Sequence, residues 1–319
     1  MEVLAQNHVA VLGKLKANLE SCILGKGDEI TLLLTAMLAG GHVLLEDVPG
    51  TGKTVLIKAL ASSIQGQFRR IQCNPDLLPT DITGVSIYHP KDERFIFRPG
   101  PIMTNILLVD EINRATTKTQ SALLEAMEES HITVDGELHE LPSPFLMLAT
   151  QNPIDFEGTY MLPEAQLDRF MMKLSLGYPD EVTEQRMIFS QSKVHPLNLL
   201  EPVLDTAGVL DMQSQVRDIH IDEAVAAYLV SITRFTREHS SVFLGASPRA
   251  TLSLVLASKA FAFLSGRDYV IPDDIKYLAP FVLGHRILLH SEARLDGASV
   301  TSVLRSIFEQ VRVPVRLEK

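Results

Sequence analysis

The eight residues 47–54, DVPGTGKT, constrain this chain more than any other stretch. They follow the apolar run 42–45 and precede 55–63, where Val55, Leu56, Ala59 and Leu60 fall on one helical face. In that order, Gly50 and Gly52 let the backbone wrap phosphates with successive N–H groups turned inward. The helix N-terminus behind the loop adds its positive dipole end. Lys53 then pairs with β- and γ-phosphates, and the Thr54 hydroxyl is the candidate ligand for Mg²⁺. Pro49, Thr51 and Val55 complete the candidate nucleotide-binding segment. Asp47 departs from the strict pattern G-x-x-x-x-G-K-[ST], standing where its first glycine belongs.

Two more apolar strands carry polar ends. Residues 106–109 run into Asp110-Glu111, which suits a magnesium-binding aspartate followed by a glutamate that activates the attacking water. Residues 145–150 run into Gln151-Asn152-Pro153, and Asn152 either orients that water, touches the γ-phosphate or simply forms a turn before proline. No N-K-x-D guanine motif is present, so ATP is the better nucleotide than GTP. Alternating apolar strands and helices imply a parallel sheet covered on both faces. Two segments interrupt that plan as hairpins: 85–97 with HPKDER at its tip, and HITVDGELHEL around Asp135-Gly136.

After residue 180 the strand signals fade. Amphipathic helical segments follow at 181–193, 205–217, 222–238, 248–265, 272–283 and 299–311, with Ser247 as an N-cap before Pro248. We therefore divide the chain into a nucleotide-binding core, 1–179, and an all-helical domain, 180–319. Met161, Met171 and Met172 read as core packing.

The 319 residues carry 29 basic and 39 acidic side chains. Residues 1–178 hold 14 basic against 22 acidic, a net of −8, a poor platform for nucleic acid. Cys22 and Cys73 make neither a disulfide framework nor a metal-ligand spacing, and the ten histidines form no ligand pair, so no metal beyond Mg²⁺ is assigned. The absence of a long unbroken apolar run or an evident signal peptide points to a cytoplasmic protein without membrane insertion.

Arg169 in AQLDRF and Arg249 in ASPRA are cationic candidates for transition-state charge, with Arg114 in INRA a weaker third. Taken with GHVLLEDVPGTGKT, DEINRATTKTQSALLEAMEE, ITVDG, LATQNP, EGTYMLPEAQLDRF, GASPRA and YVIPDDIKYLAPFVLGHRI, the chain resembles the MoxR family of AAA+ ATPases over nearly its whole length. Asp47 ceases to be odd, because that family's loop reads EDVPG. The resemblance implies an α/β P-loop core with helix-2 and pre-sensor-1 hairpin inserts and a helical lid. It makes Lys53 and Thr54 the Walker A pair, Asp110 and Glu111 the Walker B pair, and Asn152 sensor 1. Arg169 becomes the arginine finger acting on a neighbour's ATP. Arg249 becomes the sensor-2 arginine, which lets the lid go from its core when the γ-phosphate leaves. Ile23, Leu24 and Gly25, in ILGK, become the adenine-packing stretch.

Also implied are ATP and ADP as ligands, a homo-oligomeric ring of six, and a von Willebrand factor A domain partner or client protein that the ring remodels or helps to mature. A nucleic-acid motor or transcription-regulating ATPase is the competing reading. The 85–97 hairpin with its flank is only +1, Lys91, Arg94 and Arg98 set against Asp92 and Glu93. A scaffold that binds ATP without hydrolysing it is disfavoured by Glu111 and Arg169.

Overall fold

The computed structural model describes residues 2–48, 50–152, 159–190 and 196–314. The chain opens with helices α1 (Glu2–Cys22) and α2 (Gly27–Leu38), then strand β1 (Val43–Glu46), helix α3 (Lys53–Ser63) and strand β2 (Phe68–Gln72). A short helix α4 (Pro79–Thr83) leads into the hairpin β3 (Gly84–His89) and β4 (Arg94–Pro99). Strand β5 (Ile106–Asp110), helix α5 (Thr117–Glu129), the hairpin β6 (His131–Val134) and β7 (Glu137–Glu140), and strand β8 (Leu146–Gln151) follow. Helix α6 (Glu164–Leu167) and strand β9 (Met172–Leu174) close the core. Beyond it lie helices α7 (Glu181–Ser190), α8 (Thr206–Asp218), α9 (Glu223–Glu238), strand β10 (Val242–Leu244), helices α10 (Pro248–Leu264) and α11 (Pro272–Leu283), strand β11 (Leu288–Leu289), and helices α12 (Ser291–Leu295) and α13 (Val300–Gln310).

Five strands form a parallel sheet in the order β2-β5-β8-β1-β9. Every residue of β5 and β8 is buried, the signature of strands covered on both faces, whereas edge strand β2 exposes Arg69 and Arg70. Register sets the geometry of the site. Val43 at the start of β1 pairs with Met172, and the parallel β5, β8 and β1 all end on one edge, where residues 47, 111 and 152 emerge. Whatever precedes β9 sits on the opposite edge.

Both hairpins form as the alternation predicts. In the second, Asp135 (φ 52°) and Gly136 (φ 84°) supply the left-handed pair that a two-residue turn needs. Phe97 of the first stacks on His139 of the second at 3.9 Å, so the inserts brace each other.

Ser247 caps α10 by accepting from the Ala250 N–H, with Pro248 next in line. The C-terminal part is not all-helical: β10 and β11 pair antiparallel, and α12 is an additional short helix. The ribbon escapes periodicity because three-residue and two-residue strands are too short to display one. Helix α1 likewise went unread. Leu12, Leu15 and Leu19 are buried at helical spacing along it. Of the three methionines, Met171 and Met172 are buried, but Met161 is 60% exposed and packs in no core.

One buried cluster runs from Leu12 and Leu34 through Leu45 and Leu174 to Leu254, Leu278 and Leu304. It joins α1, α2 and the sheet to α10, α11 and α13, so the helical part shares its interior with the core.

Candidate active site

The phosphate loop emerges from β1 and feeds α3. Gly50 (φ 87°) and Gly52 (φ 89°) hold left-handed backbone that side chains resist, and Gly52 stands at the α3 N-cap. Pro49 lies outside the described residues. Lys53 Nζ donates to the Val48 carbonyl at 2.7 Å and lies 3.4 Å from Thr51 Oγ1, so the ammonium is drawn in against its own loop. Thr54 follows on the first turn of α3. Asp47 is the brace of the loop. Its Oδ1 accepts from the Val48 N–H, while its Oδ2 accepts from Thr51 Oγ1 and from the N–H groups of Leu176 and Gly177. A carboxylate in the first-glycine position therefore ties the loop to the segment leaving β9.

Beside the loop opens a cleft of about 860 Å³. Ile23, Leu24, Gly50, Thr51, Gly52 and Val55 line it, as do Asn18 and Cys22 of α1, Met187 of α7, and Leu199 and Leu200. Gly25 (φ 72°) does not line it, but packs so closely on Thr183 that a Cβ would lie 2.7 Å from Thr183 Oγ1. The far wall was invisible in the sequence, because α1 and the 196–200 segment carry only scattered apolar residues with no motif.

On the same edge, Asp110 and Glu111 are held in a polar chain. Arg70 Nε lies 2.5 Å from Asp110 Oδ2, and Arg70 also donates to Gln72, which donates to Glu111 Oε2 at 3.0 Å. Arg114 Nε lies 3.2 Å from the same Glu111 oxygen. Thr150 Oγ1 donates to Asp110 and accepts from the Glu111 N–H, linking β8 to β5 across the site. Glu111 adopts φ 55°, a left-handed conformation that costs a non-glycine residue about 1–2 kcal/mol. Strain of that kind at a strand end marks a side chain whose aim matters. Asn152 follows directly on β8, half-buried at the same edge. Thr150, Arg70 and Gln72 went unread, since a threonine inside a strand and two polar residues on an exposed edge have no distinguishing pattern.

These residues fit a magnesium nucleotide: a left-handed glycine cradle, a lysine and a hydroxyl on one helix start, and two consecutive carboxylates at the end of β5 on the same edge of the sheet. Among the described residues no cluster of three or more His, Cys, Asp or Glu could hold another metal.

Arg169 and Arg249 are elsewhere. Arg169 lies two residues before Met171, whose N–H bonds the His42 carbonyl just ahead of β1. It is thus on the edge opposite the loop, about 13 Å away along the four residues of β1. Arg169 Nε meets Glu128 Oε2 at 2.9 Å, and Arg249 Nη1 meets Glu128 Oε1, also at 2.9 Å. One carboxylate at the end of α5 gathers both guanidinium groups. Arg249 does not line the cleft of its own chain. In this structure the Arg249 guanidinium is held by Glu128, and core and lid share one buried cluster.

His42 lies behind this edge. Its Nδ1 accepts from the Met147 N–H and its Nε2 donates to the Met127 carbonyl. Burial, with help from Arg249, holds its pKa down at about 4.

A phosphate loop after β1, an acidic pair after β5, an asparagine after β8 and a helical lid on a β2-β5-β8-β1-β9 sheet define an AAA+ ATPase. A family described as "ATPase family associated with various cellular activities (AAA)" matches residues 42–172, and an AAA lid domain matches 234–307. The chain is 53% identical to the uncharacterized protein YeaC of Bacillus subtilis, over 96% of both chains. It is 41% identical to the Chaperone MoxR1 of Mycobacterium tuberculosis, covering 92% of this chain and 79% of that one. A crystal structure of a proposed ATPase from Cytophaga hutchinsonii superposes with a TM-score of 0.90 at 36% identity, covering 98% of each chain. The protein belongs to the MoxR family of AAA+ ATPases.

Proposed function

We propose that this chain hydrolyses ATP between adjacent copies of itself in a ring of six, and that the ring remodels or matures a client protein complex in the cytoplasm. The observation that carries the reading is the split of the site across the sheet. Asp110, Glu111, Lys53 and Asn152 stand on one edge, and Arg169 and Arg249 on the other, so a single copy does not bring them to one phosphate.

In the proposed reaction the loop backbone grips the triphosphate and Lys53 exchanges the Val48 carbonyl for a phosphate oxygen. Ile23, Leu24 and Val55 flank the base. Glu111 takes the proton of the attacking water, which Asn152 orients, and Arg169 of the neighbour offsets charge on the departing γ-phosphoryl. Thr54 and Asp110 would hold Mg²⁺, which would supply charge neutralisation to the phosphates. Arginine fingers contribute roughly 10³–10⁵ in rate, which makes an isolated copy nearly inert.

The name of the mycobacterial relative supports a chaperone role. Free thiols at Cys22 and Cys73 suit a reducing compartment. A von Willebrand factor A domain protein is the partner class we propose. Against a nucleic-acid motor, His89 and Arg94 at the tip of the first hairpin are both turned onto Asp92, at 3.0 and 4.0 Å.

The test is the ATPase rate per subunit against protein concentration, with Glu111→Gln alongside. A rate that climbs with concentration and vanishes in Glu111→Gln is expected. A wild-type chain that binds ATP but turns over none at any concentration sinks the reading in favour of a scaffold. Stimulation by DNA that weakens steeply with salt favours the motor.

A further inference from the structure

Behind the two arginines lies a third, Arg286, which no part of the proposed reaction uses. Its side chain is 2% exposed. It follows α11, in the helical part, yet most of its bonds cross into the core. Nε donates to Asp168 Oδ1 at 2.7 Å, and Nη2 donates to the carbonyls of Asp168 at 2.9 Å and Phe170 at 2.8 Å. Nη1 donates to the Met171 carbonyl at 3.1 Å and to the Val282 carbonyl. The guanidinium thus grasps three backbone carbonyls of the 168–171 turn, the turn that presents Arg169.

The other Asp168 oxygen accepts from Ser247 Oγ at 2.8 Å. Ser247 is the N-cap of α10 and stands two residues before Arg249. Asp168, the residue before Arg169, is therefore tied to the cap beside Arg249, and Arg286 fixes Asp168. A solvated ion pair does not make this pattern; a buried planar group with four contacts to acceptors of one turn and a fifth to the Val282 carbonyl of α11 does.

We propose that Arg286 is a positioning residue for transition-state stabilisation: acting through Asp168, it sets Arg169 and Arg249 side by side as one unit for the neighbouring copy's nucleotide. Neither Arg286 nor Asp168 touches that nucleotide. The inference rests on the proposed ATPase reading and adds to it a residue in the lid on which the finger depends.

The role separates from plain stability because the nucleotide cleft is on the opposite edge of the sheet. Arg286→Gln is expected to lower the ATPase rate per subunit 10- to 100-fold, while affinity for a fluorescent ATP analogue stays within about twofold and the sizing profile matches wild type. Mixing it with Glu111→Gln is the decisive arm. Glu111→Gln subunits cannot hydrolyse but carry intact Arg286, Asp168 and Arg169. When they sit beside Arg286→Gln subunits, the rate per Arg286→Gln subunit should rise at least fivefold. Should Arg286→Gln fail to fold, Asp168→Asn keeps the shape of the hub and is put through the same three measurements, with a loss of about 5-fold or more expected.

An unchanged rate overturns the inference, and so does a rate lost together with ATP affinity and not recovered on mixing. Absence of hydrolysis by wild type overturns the ATPase reading and the inference with it, whereas normal wild-type hydrolysis beside a normal Arg286→Gln rate overturns the inference alone.

Discussion

Asp47 shows how one side chain can replace a motif residue and still serve the motif. It is 7% exposed and accepts from three N–H groups and one hydroxyl. Removing it takes the partner from four donors, that of Leu176 buried and the others half-buried, at about 1–3 kcal/mol for each that stays unsatisfied. Asp47→Ala should therefore lose roughly 2–4 kcal/mol in urea unfolding and bind ATP at least tenfold more weakly. His42 and His285 add a pH dependence. Burial holds them neutral in the fold, at about 4 and about 3 against an ordinary 6.5. Below 6.5 the unfolded chain takes up protons that the folded chain refuses, so stability is full above 6.5 and falls as pH drops toward those values. At pH 5.5 each histidine should subtract about 1.4 kcal/mol relative to pH 7.5, and His42→Gln should flatten its share of the slope. Lys53, Thr54, Asp110 and Glu111 were legible because their chemistry demands fixed spacing around one strand end. Thr150, Asp168 and Arg286 were not, since their partners lie 39 to 118 residues away and no local pattern announces them.

At the level of elements, glycine positions decide where the loop can exist. Gly52 sits at φ 89°, with Ile23 Cδ1 3.0 Å from where a Cβ would stand. Gly52→Ala strains the backbone by about 1–2 kcal/mol and pushes into the residue expected to flank the base. ATP affinity should fall more than tenfold in equilibrium titration, with the overall fold kept by circular dichroism. Ser247→Ala tests a cap with two duties: it ends the α10 N-terminus and holds Asp168. Loss of the cap costs about 1 kcal/mol, and a larger loss with a lowered rate marks the second duty. The hairpins and the long lid helices were readable from turn chemistry and period. Helix α1 lacked a wide apolar face, while β9 is only three residues long and β2 is polar on its exposed side.

For the whole molecule, the two-edged site makes mixed assemblies informative. Arg169→Ala and Glu111→Gln should each be nearly inactive alone. A one-to-one mixture should recover a rate well above either, because some interfaces unite an intact Glu111 with an intact Arg169. A mixture no faster than its components refutes action between copies. The buried cluster that unites core and lid carries its own consequence. A chain whose parts share one interior has to open buried apolar surface before lid and core can part. In the proposed ring, bending between copies would then fall at the joints, each a nucleotide between Glu111 of one copy and Arg169 of the next. The shape of such a ring would record, joint by joint, how many triphosphates remain, and the proposed work on a client would be done by changing the angles between its copies.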